Sequence, residues 1–305
     1  MSILSVGTVA FDAIETPFGK TEKIIGGAST YFCLAASFFS KKINLVSVVG
    51  GDFPESAIEM LEEHNINTIG LQIIQDQKTF FWSGRYHKNM NVRDTLETQL
   101  NVLEKFNPII PEHFKEPDFL MLGNLTPSIQ RKAVDQITTK PKLIVLDTMN
   151  FWMDHFMNDL KEVLKQVDVL TINDDEARQL SSEESLVKAA KRILKMGPKY
   201  LIIKKGEHGA LLFDKKDMFF APAIPLENVL DPTGAGDSFA GGFVGYLEQC
   251  GEISFNSMKK ALINASAIAS FCVEKFGTQK LIEITQKDLE KRINECVNLI
   301  KVDLK

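Results

Sequence analysis

Cysteine is sparse in this 305-residue chain. No two of its four residues, Cys33, Cys250, Cys272 and Cys296, stand at the Cys-x-x-Cys spacing of a zinc site or a redox pair. They read as reduced core thiols. The five histidines, His64, His87, His113, His155 and His208, are scattered without metal-ligand spacing. No apolar run approaches the roughly 18 residues a membrane span needs. The first lysine, Lys20, comes too late for the basic region of a secretory leader, and the tail has no lipidation pattern. A cytoplasmic location is the expectation. A dominant sign of charge is also lacking: 35 Lys and Arg against 40 Asp and Glu give a net charge of −5. That field is too weak to hold nucleic acid or an anionic membrane. Repeats, low-complexity tracts and long linkers are absent. A chain with 44% hydrophobic and 25% charged residues and no linker reads as one large domain over 1–305.

What is present is alternation. Short apolar, β-branched runs fall at Ile3–Gly7, Leu45–Val49, Phe119–Leu122, Leu143–Asp147, Val167–Asn173, Tyr200–Lys204 and Ala210–Phe213. Between and after them come helical patterns at Ser29–Ser40, Glu55–His64, Ser128–Thr138, His155–Gln166, Glu184–Met196, Gly234–Cys250, Asn256–Phe271 and Gln286–Ile300. This predicts an α/β fold with a mostly parallel central sheet flanked by helices. Two stretches break the rhythm. Residues 13–25 are not helical, and 71–107 hold the β-prone, aromatic Thr79–Tyr86 instead of a helix. They predict a small β-sheet lid, with a structural flap as the alternative.

The sharpest local feature is Asp231-Pro232-Thr233-Gly234-Ala235-Gly236-Asp237, followed by an apolar helix. Small residues at a helix start let unpartnered N–H groups approach a ligand, which makes an anion hole. A carboxylate beside such a hole repels a simple anion. It makes sense as the base that takes a proton from an attacking hydroxyl during phosphoryl transfer. A capped, tightly packed helix start, with Asp231 as N-cap and Pro232 at N1, explains the same residues.

Gly-Ala-Gly-Asp in this setting resembles the signature of the ribokinase-like (PfkB) carbohydrate kinase family. The likeness covers essentially the whole chain, in the family's motif order, and looks most like a bacterial branch of sugar and nucleoside kinases. It implies ATP- and Mg²⁺-dependent phosphorylation of a hydroxymethyl group, with Asp237 as base and the backbone of Gly234, Ala235 and Gly236 as the hole. Asn173-Asp174-Asp175-Glu176 looks like the family's Asn-x-x-Glu. Asn173 and Glu176 are therefore expected near Mg²⁺ and phosphate, Glu176 through water. Lys204-Lys205-Gly206-Glu207-His208-Gly209 matches a nucleotide-side turn, which implies nucleotide contacts from Lys205, Gly206 and Gly209, with Asn264 added.

Gly26-Gly27 before the first long helix and Asp12 after Gly7 match the acceptor side. Asp12, Gly26, Gly27, Asn124 and Arg85 are the implied contacts, and Thr30 stands nearest to where the family has an Asn. The resemblance also implies a site for a monovalent cation, K⁺, from Asp231, Thr233, Cys272, Lys275 and Gly277, with Lys275 giving only its carbonyl. A sugar and a nucleoside both remain open as acceptor. Phe81, Trp82 and Tyr86 in the lid tilt the reading toward a ribonucleoside by stacking. A non-catalytic sensor on the same fold is the other alternative. Exposed lid strands predict pairing into a homodimer.

Overall fold

The computed structural model describes residues 1–302, so the last three positions of the expected 1–305 domain lie outside the described residues. The first third runs β1 (Ile3–Val6), β2 (Ala10–Thr16), β3 (Gly19–Lys20), β4 (Ile24–Gly26), α1 (Ala28–Ala36), β5 (Ile43–Gly50), α2 (Glu55–Glu63), β6 (Ile66–Ile74), β7 (Phe81–Tyr86) and β8 (Arg93–Gln99). The middle runs β9 (Phe119–Leu122), α3 (Pro127–Val134), β10 (Leu143–Asp147), α4 (Asn150–His155), α5 (Met157–Leu164), β11 (Val169–Asn173), α6 (Asp174–Ser181) and α7 (Leu186–Ile193). The last third runs β12 (Tyr200–Lys204), β13 (Ala210–Phe213), β14 (Met218–Ala221), α8 (Ala235–Cys250), α9 (Phe255–Cys272), α10 (Gln279–Glu283) and α11 (Gln286–Ile300).

Nine strands form the main sheet, in the order β14-β13-β12-β11-β10-β9-β1-β5-β6. It is parallel from β12 to β6, and β13 and β14 add an antiparallel edge. The strand residues are apolar on both sides because both faces are covered. One core packs α1, α2, α8, α9 and α11 against the sheet, and the other packs α3, α5, α6 and α7. Strand order reverses beside β1, since β5 and β6 lie on one side and β9 to β12 on the other. Such a reversal opens a crevice at the carboxyl ends of the strands.

The second sheet, β3-β2-β7-β8 with β4 also on β2, is the expected lid. Its bounds differ from the sequence reading. It starts at Ala10 rather than 13, and 71–74 belong to β6 of the main sheet. Gln72–Gln75 was expected in the lid because its alternation fits a half-exposed edge strand in either sheet; β6 is such an edge. The single helix expected over His155–Gln166 is two, broken at Phe156. The helix α6 follows Asn173, where no helix was expected. Three cysteines are core thiols as expected, but Cys250 is exposed at the end of α8.

Candidate active site

The Gly-Ala-Gly-Asp segment opens α8, but not through the cap that its sequence suggests. The N-cap is Gly234, in the left-handed region at φ 75°, and the helix begins at Ala235. A side chain at Gly234 would also overlap the ring of Tyr31 on α1. Glycine is therefore required there for both backbone and space. Asp231 does not cap α8. Its Oδ1 accepts the Thr233 N–H at 2.9 Å and its Oδ2 the Gly277 N–H at 2.9 Å, so it ties the loop to the end of α9. The Ala235 N–H donates to the Pro232 carbonyl at 3.2 Å and closes a turn. Among the described residues the N–H groups of Gly234, Gly236 and Asp237 have no partner. Those three N–H groups are open to an anion, while that of Ala235, expected among them, is taken by the turn.

Asp237 stands in the first turn of α8. Burial raises its pKa from an ordinary 3.8 to about 7. Asp147 pushes the same way, while Lys204 and Arg93 oppose it. A base that titrates near neutrality suits proton abstraction from an alcohol. Lys204, at the end of β12, is the lysine in the site. Its Nζ donates to Asp147 Oδ2 at 2.8 Å and would lie 3.0 Å from a Cβ on Gly236. Lys205, the expected contact, has its N–H on the Gly209 carbonyl at 2.8 Å and closes the β12–β13 turn. Period-two alternation decides between the adjacent lysines.

Asn173 and Glu176 form a capping box on α6. Asn173 Oδ1 accepts the Glu176 N–H and Glu176 Oε2 accepts the Asn173 N–H, both at 2.8 Å. Burial first, then Asp147, raises Glu176 to about 7. Glu176 Oε1 and Asp147 Oδ1 have no hydrogen-bond partner among the described residues. Two unpartnered carboxylate oxygens fit a hydrated Mg²⁺, which keeps several of its waters. No cluster of three or more His, Cys, Asp or Glu able to hold a metal directly occurs among the described residues.

On the acceptor side Asp12 is buried and raised to about 7, by burial first and by Asp231 second; the Gly27 N–H and Arg93 lower it. Gly26 lies directly under this carboxylate, where any Cβ would overlap Asp12 Oδ2. Thr30 does not take the role of a ligand contact. It is fully buried and its hydroxyl donates to the Gly26 carbonyl at 2.7 Å. The next residue, Tyr31, carries a buried hydroxyl with no partner among the described residues and packs against Gly234. Asn124 Oδ1 accepts from the Trp152 indole at 2.7 Å, which fixes its amide at the end of β9.

The lid sorts its side chains by parity. Asp12 pairs with Trp82, and Tyr86 with Arg93. Partners in register share a face, so these four look one way. The Thr233 hydroxyl donates to Tyr86 Oη at 3.1 Å. Arg85 has the opposite parity. It is paired with Glu15 on the outer face at 2.8 Å and does not look toward Asp12. Phe81 also has the parity of Arg85 and packs against the core beside its buried register partner Phe11, while Trp82 and Tyr86 are on the face of Asp12.

Gly206 and Gly209 shape the β12–β13 turn. Asn264 lies buried on α9, with its amide on the Lys260 carbonyl at 2.8 Å. The expected cation residues also converge: Cys272 Sγ donates to the Thr233 carbonyl at 3.4 Å, and Asp231 holds Gly277. Lys275 turns its ammonium away, onto Glu283 at 2.6 Å. The sequence reading missed Lys204, Asp147, Tyr31 and Arg93. Lys204 and Tyr31 stand next to the residues chosen in their place, Lys205 and Thr30, and Asp147 and Arg93 are single charged residues at strand ends.

Residues 2–285 match the pfkB family carbohydrate kinase, and the chain belongs to that family. A cytidine kinase of Thermococcus kodakarensis is 28% identical over 274 residues, which cover 86% of this chain and 96% of that protein. The solved nucleoside kinase of Methanocaldococcus jannaschii, an archaeal member of the ribokinase family, has a TM-score of 0.77 at 22% identity, covering 97% of this chain and 99% of that one. The nucleoside kinase of Burkholderia thailandensis in complex with inosine has a TM-score of 0.78 at 16% identity, covering 97% and 98%.

Proposed function

We propose that this pfkB-family kinase transfers the γ-phosphoryl group of ATP to the hydroxymethyl group of a ribonucleoside. The observation that carries the reading is the pair of carboxylates, Asp12 buried on the inner lid face and Asp237 half-buried at the start of α8, both raised to about 7, with the charge of Asp12 adding to the shift of Asp237. Asp12 accepts hydrogen bonds from ring hydroxyls, as only an acceptor-rich group can. Asp237 takes the proton of the hydroxyl that attacks. The unpartnered N–H groups of Gly234, Gly236 and Asp237 stabilise negative charge on the phosphoryl oxygens, and Lys204 adds a cation beside them. Asp147 and Glu176 would hold Mg²⁺ through its waters, and the ion would supply charge neutralisation at the phosphates.

Trp82 and Tyr86 on the inner lid face support a nucleoside over a free sugar, because an aromatic base gains stacking area there. The relatives named cytidine kinase and nucleoside kinase support the same choice. The buried Asp231 charge, tied only by backbone N–H groups and the Thr233 loop, supports a K⁺ ion beside it. The use of ATP supports a cytoplasmic setting. Every residue of β8 is exposed at the lid edge, which supports pairing with a second copy.

The test is ATP turnover against a panel of ribonucleosides, ribose and fructose. A higher kcat/KM for a ribonucleoside is expected, and a clear preference for a free sugar overturns the acceptor assignment. Assays in K⁺ and in tetramethylammonium test the ion, with faster turnover expected in K⁺. Equal rates remove it.

A further inference from the structure

We propose that Arg93 is a catalytic residue delivered by the lid, its guanidinium meeting the phosphoryl group as it passes from ATP to the acceptor. The proposal rests on the kinase reading above. Arg93 opens β8 opposite Tyr86, so its side chain is on the inner face with Asp12 and Trp82. The guanidinium carbon lies 5.2 Å from the centre of the Trp82 ring. The Trp82 indole is itself fixed by donating to Thr95 Oγ1 at 3.3 Å. Stacking on an indole and a hydrogen bond to the Tyr86 hydroxyl hold the flat guanidinium in place, and its fork has further donors for a ligand.

Two further contacts locate this arginine over the reaction centre. Tyr86, its cross-strand neighbour, meets Thr233, the residue before the anion hole. Asn91, two residues before Arg93, packs on Gly206 so closely that a Cβ at Gly206 would overlap its Oδ1. Gly206 lies two residues beyond Lys204. The lid hairpin thus touches both the α8 loop and the nucleotide-side turn, with Arg93 opposite the first contact residue and two positions from the second. The lid's ion pairs are Arg85–Glu15, His87–Asp94 and Lys23–Asp52. Arg93 forms none among the described residues, although its charge lowers the proton affinity of Asp12 on β2, Glu176 on α6 and Asp237 on α8. A guanidinium stacked on Trp82, in no ion pair among the described residues and with three carboxylates in its field, is placed for an anion that arrives between them, and its fork of donors matches phosphoryl oxygens.

In the step, the acceptor O–H proton goes to Asp237 and the acceptor oxygen forms the new O–P bond. The bond from γ-phosphorus to the bridging oxygen breaks, and its electron pair leaves with ADP. Arg93 neither gains nor loses a proton. It neutralises charge spread over the transferring group, as an arginine supplied from a mobile element does in other phosphoryl transfers.

Steady-state kinetics of the wild type, Arg93→Ala, Arg93→Lys and Arg85→Ala, with thermal unfolding of each, test this. Arg93→Ala should lower kcat at least about tenfold, with KM for ATP changed less than about threefold and the melting temperature unmoved. Arg93→Lys keeps the charge without the fork and should fall between. A kcat for Arg93→Ala within twofold of wild type overturns the proposal. So does a loss confined to KM for the acceptor, which makes Arg93 a binding anchor. An equal loss of kcat in Arg85→Ala also overturns it, because lid packing then explains both. Wild-type protein inactive on every acceptor defeats the kinase reading first and this inference with it, a result seen before any variant is compared.

Discussion

Lys204 reaches from the end of β12 across β11 to Asp147 at the end of β10, with Nζ 2.8 Å from Oδ2. Thr171 on the intervening strand donates to the same oxygen at 2.8 Å. Three neighbouring strands are thereby joined through one carboxylate oxygen, and the other oxygen has no hydrogen-bond partner among the described residues.

Removing the ammonium leaves that carboxylate buried without its cation, which costs about 3–5 kcal/mol where a buried pair is broken. The pair here keeps a fifth or less of its side-chain surface exposed. Lys204→Met is expected to lower the melting temperature and to reduce kcat/KM for ATP by at least about tenfold. Lys204→Arg should recover part of both. A Met variant with wild-type ATP kinetics would place Lys204 in the fold only.

Asp237→Asn keeps the shape of the first turn of α8 and removes proton acceptance. We expect kcat to fall at least about 10²-fold with nucleotide affinity little changed. Single-turnover rates beside a binding titration check this. A variant that turns over at near the wild-type rate removes Asp237 from the role of base.

Asp237 and Asp12 titrate near 7 in the folded protein, raised by burial from 3.8. The folded state therefore holds protons that the unfolded chain has already released. Their contribution to stability is fully present below about pH 4 and is lost as pH rises through about 7. Catalysis runs the other way, since a base acts only when ionised. Without ligands the melting temperature should fall from pH 5 to 8, while log kcat/KM for the acceptor climbs and levels above about 7. Asp237→Asn should melt higher than wild type at pH 8. Equal melting temperatures for the two proteins at pH 8 would sink this account.

Gly26→Ala would press a methyl group into Asp12 Oδ2. The carboxylate must move, and a site built around ring hydroxyls loses its anchor. KM for the acceptor is expected to rise at least about tenfold, with KM for ATP unchanged. Comparable kinetics for the variant on every accepted substrate would show that Asp12 does not hold the acceptor.

The legible parts of this site are those written contiguously. Gly234 to Asp237 and Asn173 to Glu176 lie within a turn of each other, so backbone geometry alone brings their groups together. The apolar strands were readable for a similar reason, because burial on both faces leaves no room for polar residues. The lid was readable only as strand, not as a facing. Arg85 and Arg93 are both lid arginines, and a sequence does not reveal that register turns one toward Glu15 and the other toward the crevice. Thr30 was chosen over Tyr31 by polarity, while helix geometry gave Thr30 to the Gly26 carbonyl. Lys204 and Asp147 come from strands 57 positions apart in the chain, and only the strand order makes them neighbours.

The two tryptophans of the chain stand at different parts of the site: Trp82 on the inner lid face beneath Arg93, and Trp152 on α4 against Asn124. Trp152→Phe therefore leaves a single native fluorophore in the lid. Its emission wavelength and its quenching by iodide follow the water around that ring. The two ligands can then be added separately, with no dye attached, to read by light which of them brings the strands down.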